Sequence, residues 1–139
     1  MKFFAISAGL FQAERMTQPL ALVLYEKLLP GSQLVNRLQD LKYRVQSVTD
    51  AGKLVDCARQ AKPLLILADL ESSRKDVCAA IAHLKQDSAT KHIPVIGFRG
   101  EGAAELEAAG QAAGATLVVN ESAILSHLPQ FLEQALEVE

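Results

Sequence analysis

From Leu20 onward, short apolar runs alternate with segments whose apolar residues recur at helical spacing. That alternation predicts repeating βα units wound around a parallel sheet. The most informative run is LLILADL, Leu64 to Leu70, in which five apolar residues (Leu64, Leu65, Ile66, Leu67, Ala68) precede Asp69. A strand without polar alternation is buried on both faces, as a central strand of a parallel sheet is. A charge inside it would be costly, so Asp69 belongs at the carboxyl end, where open α/β sheets bind their ligands.

In chain order, ALVLY (Ala21 to Tyr25) predicts the first strand, followed by Glu26. Leu34, Val35, Leu38 and Leu41 recur at helical spacing after Pro30 and Gly31 punctuate the start. Tyr43 to Val48 alternates and so predicts an edge strand. Asp50 is placed to cap the helix carrying Leu54, Val55 and Ala58, and Pro63 ends that helix. After the central strand, ESSRKD is a polar loop, and Val77, Ala80, Ile81 and Leu84 form one helical stripe. DSATKH reads as a surface loop and Ile93 to Phe98 as the fourth strand. Gly100 to Gly114 has helical composition with only Leu106 as a large aliphatic anchor, which predicts the least firmly packed helix. Thr116 to Val119 is the fifth strand, and Ile124, Leu125, Leu128, Phe131, Leu132 and Leu136 predict one long amphipathic helix. The expectation is five strands and five helices in a single domain, residues 19–139, preceded by an extension or arm, residues 1–18.

Composition narrows the function. The chain has 139 residues, 50% of them hydrophobic, which suits one well-packed domain. Fourteen Lys and Arg stand against 16 Asp and Glu, a net charge of −2, so no basic field exists to hold a phosphate backbone and no nucleic-acid partner is expected. No apolar run approaches the roughly 18 residues of a membrane span, so no membrane partner is expected either. The opening MKFFAISAGLFQAER faintly resembles a signal peptide, but it carries a single leading Lys and no clear small-x-small cleavage site. An extended translation start or a docked arm fits better, with Met16-Thr17-Gln18-Pro19 reading like a natural beginning, and the expected location is cytoplasmic.

Cys57 and Cys78 sit in helical patterns with no CxxC spacing, and read as buried thiols of a reduced compartment. His83, His92 and His127 share no paired spacing that would hold a metal. Ser72 and Ser73 lack a GxSxG elbow. No GxGxxG follows the first strand, so the sheet has no dinucleotide cradle. Gly100, Gly102, Gly110 and Gly114 read as turn and close-contact residues.

Taken together and in order, LLILADL, KQDSATKHIPVIGF and AAGATLVV resemble the phosphoacceptor strand, the run from third helix to fourth strand, and the entry to the fifth strand of bacterial response-regulator receiver domains. The resemblance covers about residues 20–137. It implies an α/β fold of CheY-like (flavodoxin-like) type: a doubly wound, five-stranded parallel sheet of order 2-1-3-4-5 flanked by helices.

The resemblance also assigns roles. Asp69 takes the position of the carboxylate nucleophile that accepts the phosphoryl group. The acidic pair that helps hold Mg²⁺ reads Tyr25-Glu26, so a metal site would fall to Glu26, Asp69 and the backbone carbonyl of Glu71 and would be weak. Arg99 stands where a Thr or Ser normally contacts the phosphoryl group. Asn120 and Glu121 stand where a Lys and a Pro are normal. With hydroxyl and Lys gone, phosphorylation would lack its usual reader. Arg99 either pairs with Asp69 or Glu26, supplying a fixed cation where the metal or Lys charge would lie, or points into solvent. Asp69 could equally be only a strand-end cap for the following helix.

Three functions compete on these grounds. The first is a single-domain pseudo-receiver, not an enzyme, that signals by protein contact with impaired or absent phosphorylation. Its partner would be a histidine kinase or a downstream signalling protein, with homodimerisation possible through the fourth helix, fifth strand and fifth helix, near Leu106 to Leu136. The second is a Mg²⁺-dependent phosphoacceptor using Asp69. The third is a small doubly wound ligand-binding protein.

Overall fold

A computed structural model describes residues 19–25, 28–71, 77–100 and 105–137. Five parallel strands lie in the order β2-β1-β3-β4-β5: β1 Leu20–Leu24, β2 Arg44–Val48, β3 Leu65–Asp69, β4 Val95–Arg99 and β5 Leu117–Asn120. Among the described residues the helices are α1 Leu28–Asp40, α2 Leu54–Ala61, α3 Val77–Gln86, α4 Glu105–Ala113, α5 Glu121–Ser126 and α6 Leu128–Glu137.

The period of two along each strand splits the core into two layers. Leu22, Leu24, Ile66 and Ala68 face α2 and α3, meeting Leu54, Ala58, Ile81 and Leu84. Ala21, Val23, Leu65 and Leu67 face the other way, meeting Leu34 and Leu38 of α1 and Ile124, Leu128 and Leu132 of α5 and α6. β3 is buried at every position, as its unbroken apolar run requires, and β2 at the sheet edge is mostly exposed.

Local chemistry sets the element ends. The Gly52 N–H donates to Asp50 Oδ1 (2.9 Å), so Asp50 caps a short 3₁₀ turn, Ala51–Lys53, that leads into α2. Lys62 closes α2 in the left-handed conformation, its N–H donating to the Ala58 carbonyl (2.9 Å) just before Pro63. The loop after α3 is more firmly held than its polar composition suggests. Thr90 is fully buried, with its hydroxyl donating to the Leu84 carbonyl (2.7 Å). Asp87 accepts the Ala89 N–H (2.8 Å) and the Arg59 Nε–H (2.6 Å), tying that loop to α2.

Three expectations need correction. The C-terminal helix is two helices, broken at His127 (φ −126°, ψ 33°). Pro129 explains the break: it has no N–H for the Leu125 carbonyl, and its ring would clash with that carbonyl in a continuous helix. Helix α1 begins at Leu28, so Pro30 and Gly31 lie inside its first turns, and it ends at Asp40, which leaves Leu41 outside and 37% exposed. Cys57 and Cys78 form no disulfide and are only half-buried, leaning on the core from α2 and α3.

Candidate functional site

The carboxyl ends of β1, β3, β4 and β5 converge on one rim, because parallel strands all end there. Their register sets Asp69 beside Phe98, and Arg99 beside Asn120. Asp69 is 2% exposed, as expected of a carboxylate that closes a fully buried strand. Its Oδ1 accepts the Glu71 N–H (3.0 Å), the Asx turn that an Asp at the start of a loop tends to form.

That turn aims Glu71 across the rim. Its carboxylate accepts the backbone N–H of Gly100, linking the end of β3 to the end of β4. Gly100 permits the approach: a Cβ there would lie 2.9 Å from Glu71 Oε2, too close for ordinary contact. The receiver resemblance implies a role only for the Glu71 backbone carbonyl, whereas the contact to Gly100 is made by its carboxylate. The available signal was a Glu two residues after the strand-end Asp together with a Gly after β4.

Arg99 neither faces open solvent nor makes its described contacts with Asp69. Its side chain is 15% exposed, with Nη1 donating to the Gly100 carbonyl (3.1 Å) and Nη2 to Glu107 Oε1 of α4 (3.3 Å). Its Nε is buried without a hydrogen-bond partner among the described residues, a state that costs about 1–3 kcal/mol. Whether Arg99 also meets Glu26 lies outside the described residues, as do Glu26, Ser72 and Ser73 themselves.

At β5, the Asn120 side chain is occupied as a helix cap. Its Oδ1 accepts the Ser122 N–H (2.9 Å) and the Ser122 hydroxyl (2.8 Å). Glu121 opens α5, where a carboxylate is favoured by the positive end of the helix dipole. At β1, Tyr25 is held by its N–H on the Val48 carbonyl (3.1 Å), and its ring lies where a side chain at Gly31 of α1 would have to go.

A divalent cation of the Mg²⁺ type wants several oxygen ligands in near-octahedral array. Among the described residues, no group of three or more His, Cys, Asp or Glu is arranged to hold a metal. Of the expected ligands, Asp69 Oδ1 accepts the Glu71 N–H, the hydrogen bond at Glu71 engages its carboxylate and leaves the backbone carbonyl out, and Glu26 lies outside the described residues. The described residues of the rim join into a chain of bonds, Asp69 to Glu71 to Gly100 to Arg99 to Glu107, that fastens the strand ends to α4. No described helix is long and apolar enough to cross a membrane.

No protein-family model matches the chain, and no curated protein is similar to it in sequence. Solved structures are similar in fold. The chemotaxis response regulator CheY4 of Vibrio cholerae matches with a TM-score of 0.76 at 20% identity, over 86% of this chain and 99% of that one. A two-component response regulator of the LuxR family from Aurantimonas sp. SI85-9A1 matches with a TM-score of 0.76 at 18% identity, over 88% of each chain. The signal receiver domain of a modulated diguanylate cyclase from Desulfovibrio desulfuricans G20 matches with a TM-score of 0.73 at 20% identity, over 86% of this chain and 94% of that one. With strand order, register and these neighbours in agreement, the chain has the CheY-like fold of response-regulator receiver domains.

Proposed function

We propose that the chain is a pseudo-receiver: a receiver-fold signalling module that works through contact with a protein partner and is phosphorylated poorly or not at all. One observation carries the reading, the Glu71 carboxylate seated on the Gly100 N–H at the rim beside Asp69. A phosphoryl group on Asp69 would bring about two negative charges against that carboxylate and would find the nearby backbone donor already taken. Arg99 and Asn120 add support, since each is engaged by its own neighbours.

The partner on this reading is a histidine kinase or a downstream signalling protein, received on the face formed by α4, β5, α5 and α6, near Leu106 to Leu136. The Arg99–Glu107 bond is the covalent-free link from the rim to that face. Homodimerisation through the same face belongs to the same proposal. Residues 19–139 form the receiver-like unit, and residues 1–18 an arm outside it.

The test is intact mass after incubation with acetyl phosphate and Mg²⁺, run beside Asp69→Asn. The expected result is no phosphoryl adduct on the folded wild type. An adduct on wild type that is missing from Asp69→Asn would refute the reading and install Asp69 as a working phosphoacceptor.

A further inference from the structure

Helix α4 gives the core very little side chain. Along Glu105–Ala113 the fully buried residue is Gly110, with Leu106 and Ala113 half-buried against the core. Its neighbour α3 buries Val77, Ala80, Ile81 and Leu84. An element that hides so little apolar surface belongs to the low-stability end of a fold and opens locally, ahead of global unfolding.

What fastens α4 reaches it from the end of β3. The Leu70 side chain is 5% exposed and lies between two glycines. A Cβ at Gly97 of β4 would stand 3.0 Å from Leu70 Cδ1 and 3.1 Å from its Cδ2 and Cγ. A Cβ at Gly110 of α4 would stand 3.0 Å from that same Cδ1 and 2.9 Å from Val118 Cγ2 of β5. Strand and helix therefore both approach Leu70 more closely than a residue with a Cβ could without something shifting.

Leu70 is also the residue between the two rim carboxylates. Asp69 Oδ1 accepts the Glu71 N–H (3.0 Å), the Leu70 N–H donates to the Phe98 carbonyl (2.9 Å), and the Glu71 carboxylate holds the Gly100 N–H. One three-residue segment thus presents carboxylates at the rim and a side chain beneath α4. In a close-packed slot of this kind Leu70 cannot move without moving what it touches.

We infer that Leu70 is a latch that couples the seat of α4 to the Glu71–Gly100 bond at the rim. While that bond is made, Leu70 is fixed in its slot and α4 stays down; when it is broken, Leu70 loses its fixed placement and α4 opens more often. Such coupling is reciprocal, so a partner that moves α4 also changes the rim. The latch is a matter of packing alone, and it operates whether or not Asp69 accepts a phosphoryl group.

Amide hydrogen exchange on the full chain, read by mass spectrometry on peptides from α4 and α3, tests the latch. Glu71→Ala alters the rim and leaves Leu70 in place; it should speed exchange in α4 several-fold and change α3 far less. Leu70→Ala should speed exchange in α4 at least as much, and adding Glu71→Ala to it should bring little further change there, because the side chain that carried the effect is gone. Leu70→Val, which lacks the Cδ1 that both glycines face, takes the place of Leu70→Ala if far-UV circular dichroism shows that variant to have lost its fold. Exchange in α4 that ignores Glu71→Ala would overturn the inference, and so would equal acceleration of α3 and α4, the sign of a general loss of stability. The same acceleration by Glu71→Ala with and without the Leu70 side chain would also overturn it, by routing the coupling through Gly100 instead.

Discussion

The bond from Gly100 N–H to the Glu71 carboxylate is the most exposed point of the functional reading, and a double-mutant cycle tests it directly. Glu71→Ala removes a charge-assisted hydrogen bond, of a class worth about 1.5–3 kcal/mol net. Glu71 is only half-buried, and its removal relieves repulsion with Asp69, so the expected loss is about 1–2 kcal/mol. At this chain length that is a fall in Tm of roughly 3–8 °C. Gly100→Ala breaks the same bond from the other side, because its Cβ would stand 2.9 Å from Glu71 Oε2 and push the carboxylate away. With Glu71→Ala already present that clash has no target, so the second substitution should cost little. The cycle should therefore show a coupling energy of about 1 kcal/mol, read from urea midpoints at unchanged m-value. Glu71→Gln keeps an acceptor but loses the charge, and should fall about midway because charge-assisted bonds are roughly twice as strong as neutral ones. If Glu71→Ala and Gly100→Ala add to within about 0.3 kcal/mol, the two groups do not interact and the self-occupied rim is refuted.

The other predictions are more local. Glu107→Ala removes the half-exposed partner of Arg99 and should cost less than about 1 kcal/mol, shrinking further in high salt; a larger, salt-independent loss would mean the pair is buried. Gly31→Ala drives a Cβ onto the Tyr25 ring and should destabilise by about 1–3 kcal/mol, with Tyr25→Ser in the same chain recovering most of the midpoint. The Asp87 carboxyl is held below its ordinary value of 3.8 by the Ala89 N–H first and by the Arg59 hydrogen bond second. A depressed folded-state value means that its stabilisation is present above pH 4 and is lost as the pH falls through the lower, folded value. Asp87→Asn should thus narrow the gap between midpoints at neutral and strongly acidic pH; an unchanged gap would count against the loop anchor. Burial raises the Tyr43 hydroxyl above its ordinary value of 10.0, so its ionisation should favour the unfolded chain in strong alkali, and Tyr43→Phe should flatten that loss of stability.

Periodicity carried the fold because burial in this architecture is simple to encode. β3 is apolar throughout and buried throughout; Val77, Ala80, Ile81 and Leu84 mark the buried face of α3 with no exceptions. Where sequence reading failed, a backbone hydrogen bond or a steric clash overrode an apolar stripe. The stripe from Ile124 to Leu136 is continuous on paper, yet Pro129 divides it into α5 and α6. Thr90 looks like a loop residue by composition and is buried because its hydroxyl satisfies the Leu84 carbonyl. The site was legible at Asp69, whose place follows from the cost of burying charge within a strand. It was not legible at Arg99. The sequence directs that side chain inward to Asp69 or Glu26 or outward to water; its described partner, Glu107, is eight residues along the chain on α4, and Glu26 lies outside the described residues.

Those particulars bear on whether the proposed loss of phosphorylation could be reversed by one substitution. Three departures from the receiver pattern, at Tyr25, Arg99 and Asn120, are each occupied by a bond or contact of their own, and so is Glu71 beside Asp69. Tyr25 leans over Gly31, Glu71 holds Gly100, Arg99 holds Glu107, and Asn120 caps α5 through Ser122. Asn120→Lys would supply the missing ammonium but remove the cap, at about 1 kcal/mol, and would set a cation beside Arg99, its register partner on β4. Arg99→Thr would supply the hydroxyl but leave the Gly100 N–H on Glu71. The two changes together remove the like-charge conflict, and Glu71→Gln weakens the hold on Gly100. On the proposed reading each single replacement lowers or leaves unchanged the urea midpoint and yields no adduct with acetyl phosphate and Mg²⁺, while only the triple replacement has the chemistry to respond. An adduct gained by Asn120→Lys alone, and lost again with Asp69→Asn, would show that one missing cation, and not the closed rim, is what keeps Asp69 silent.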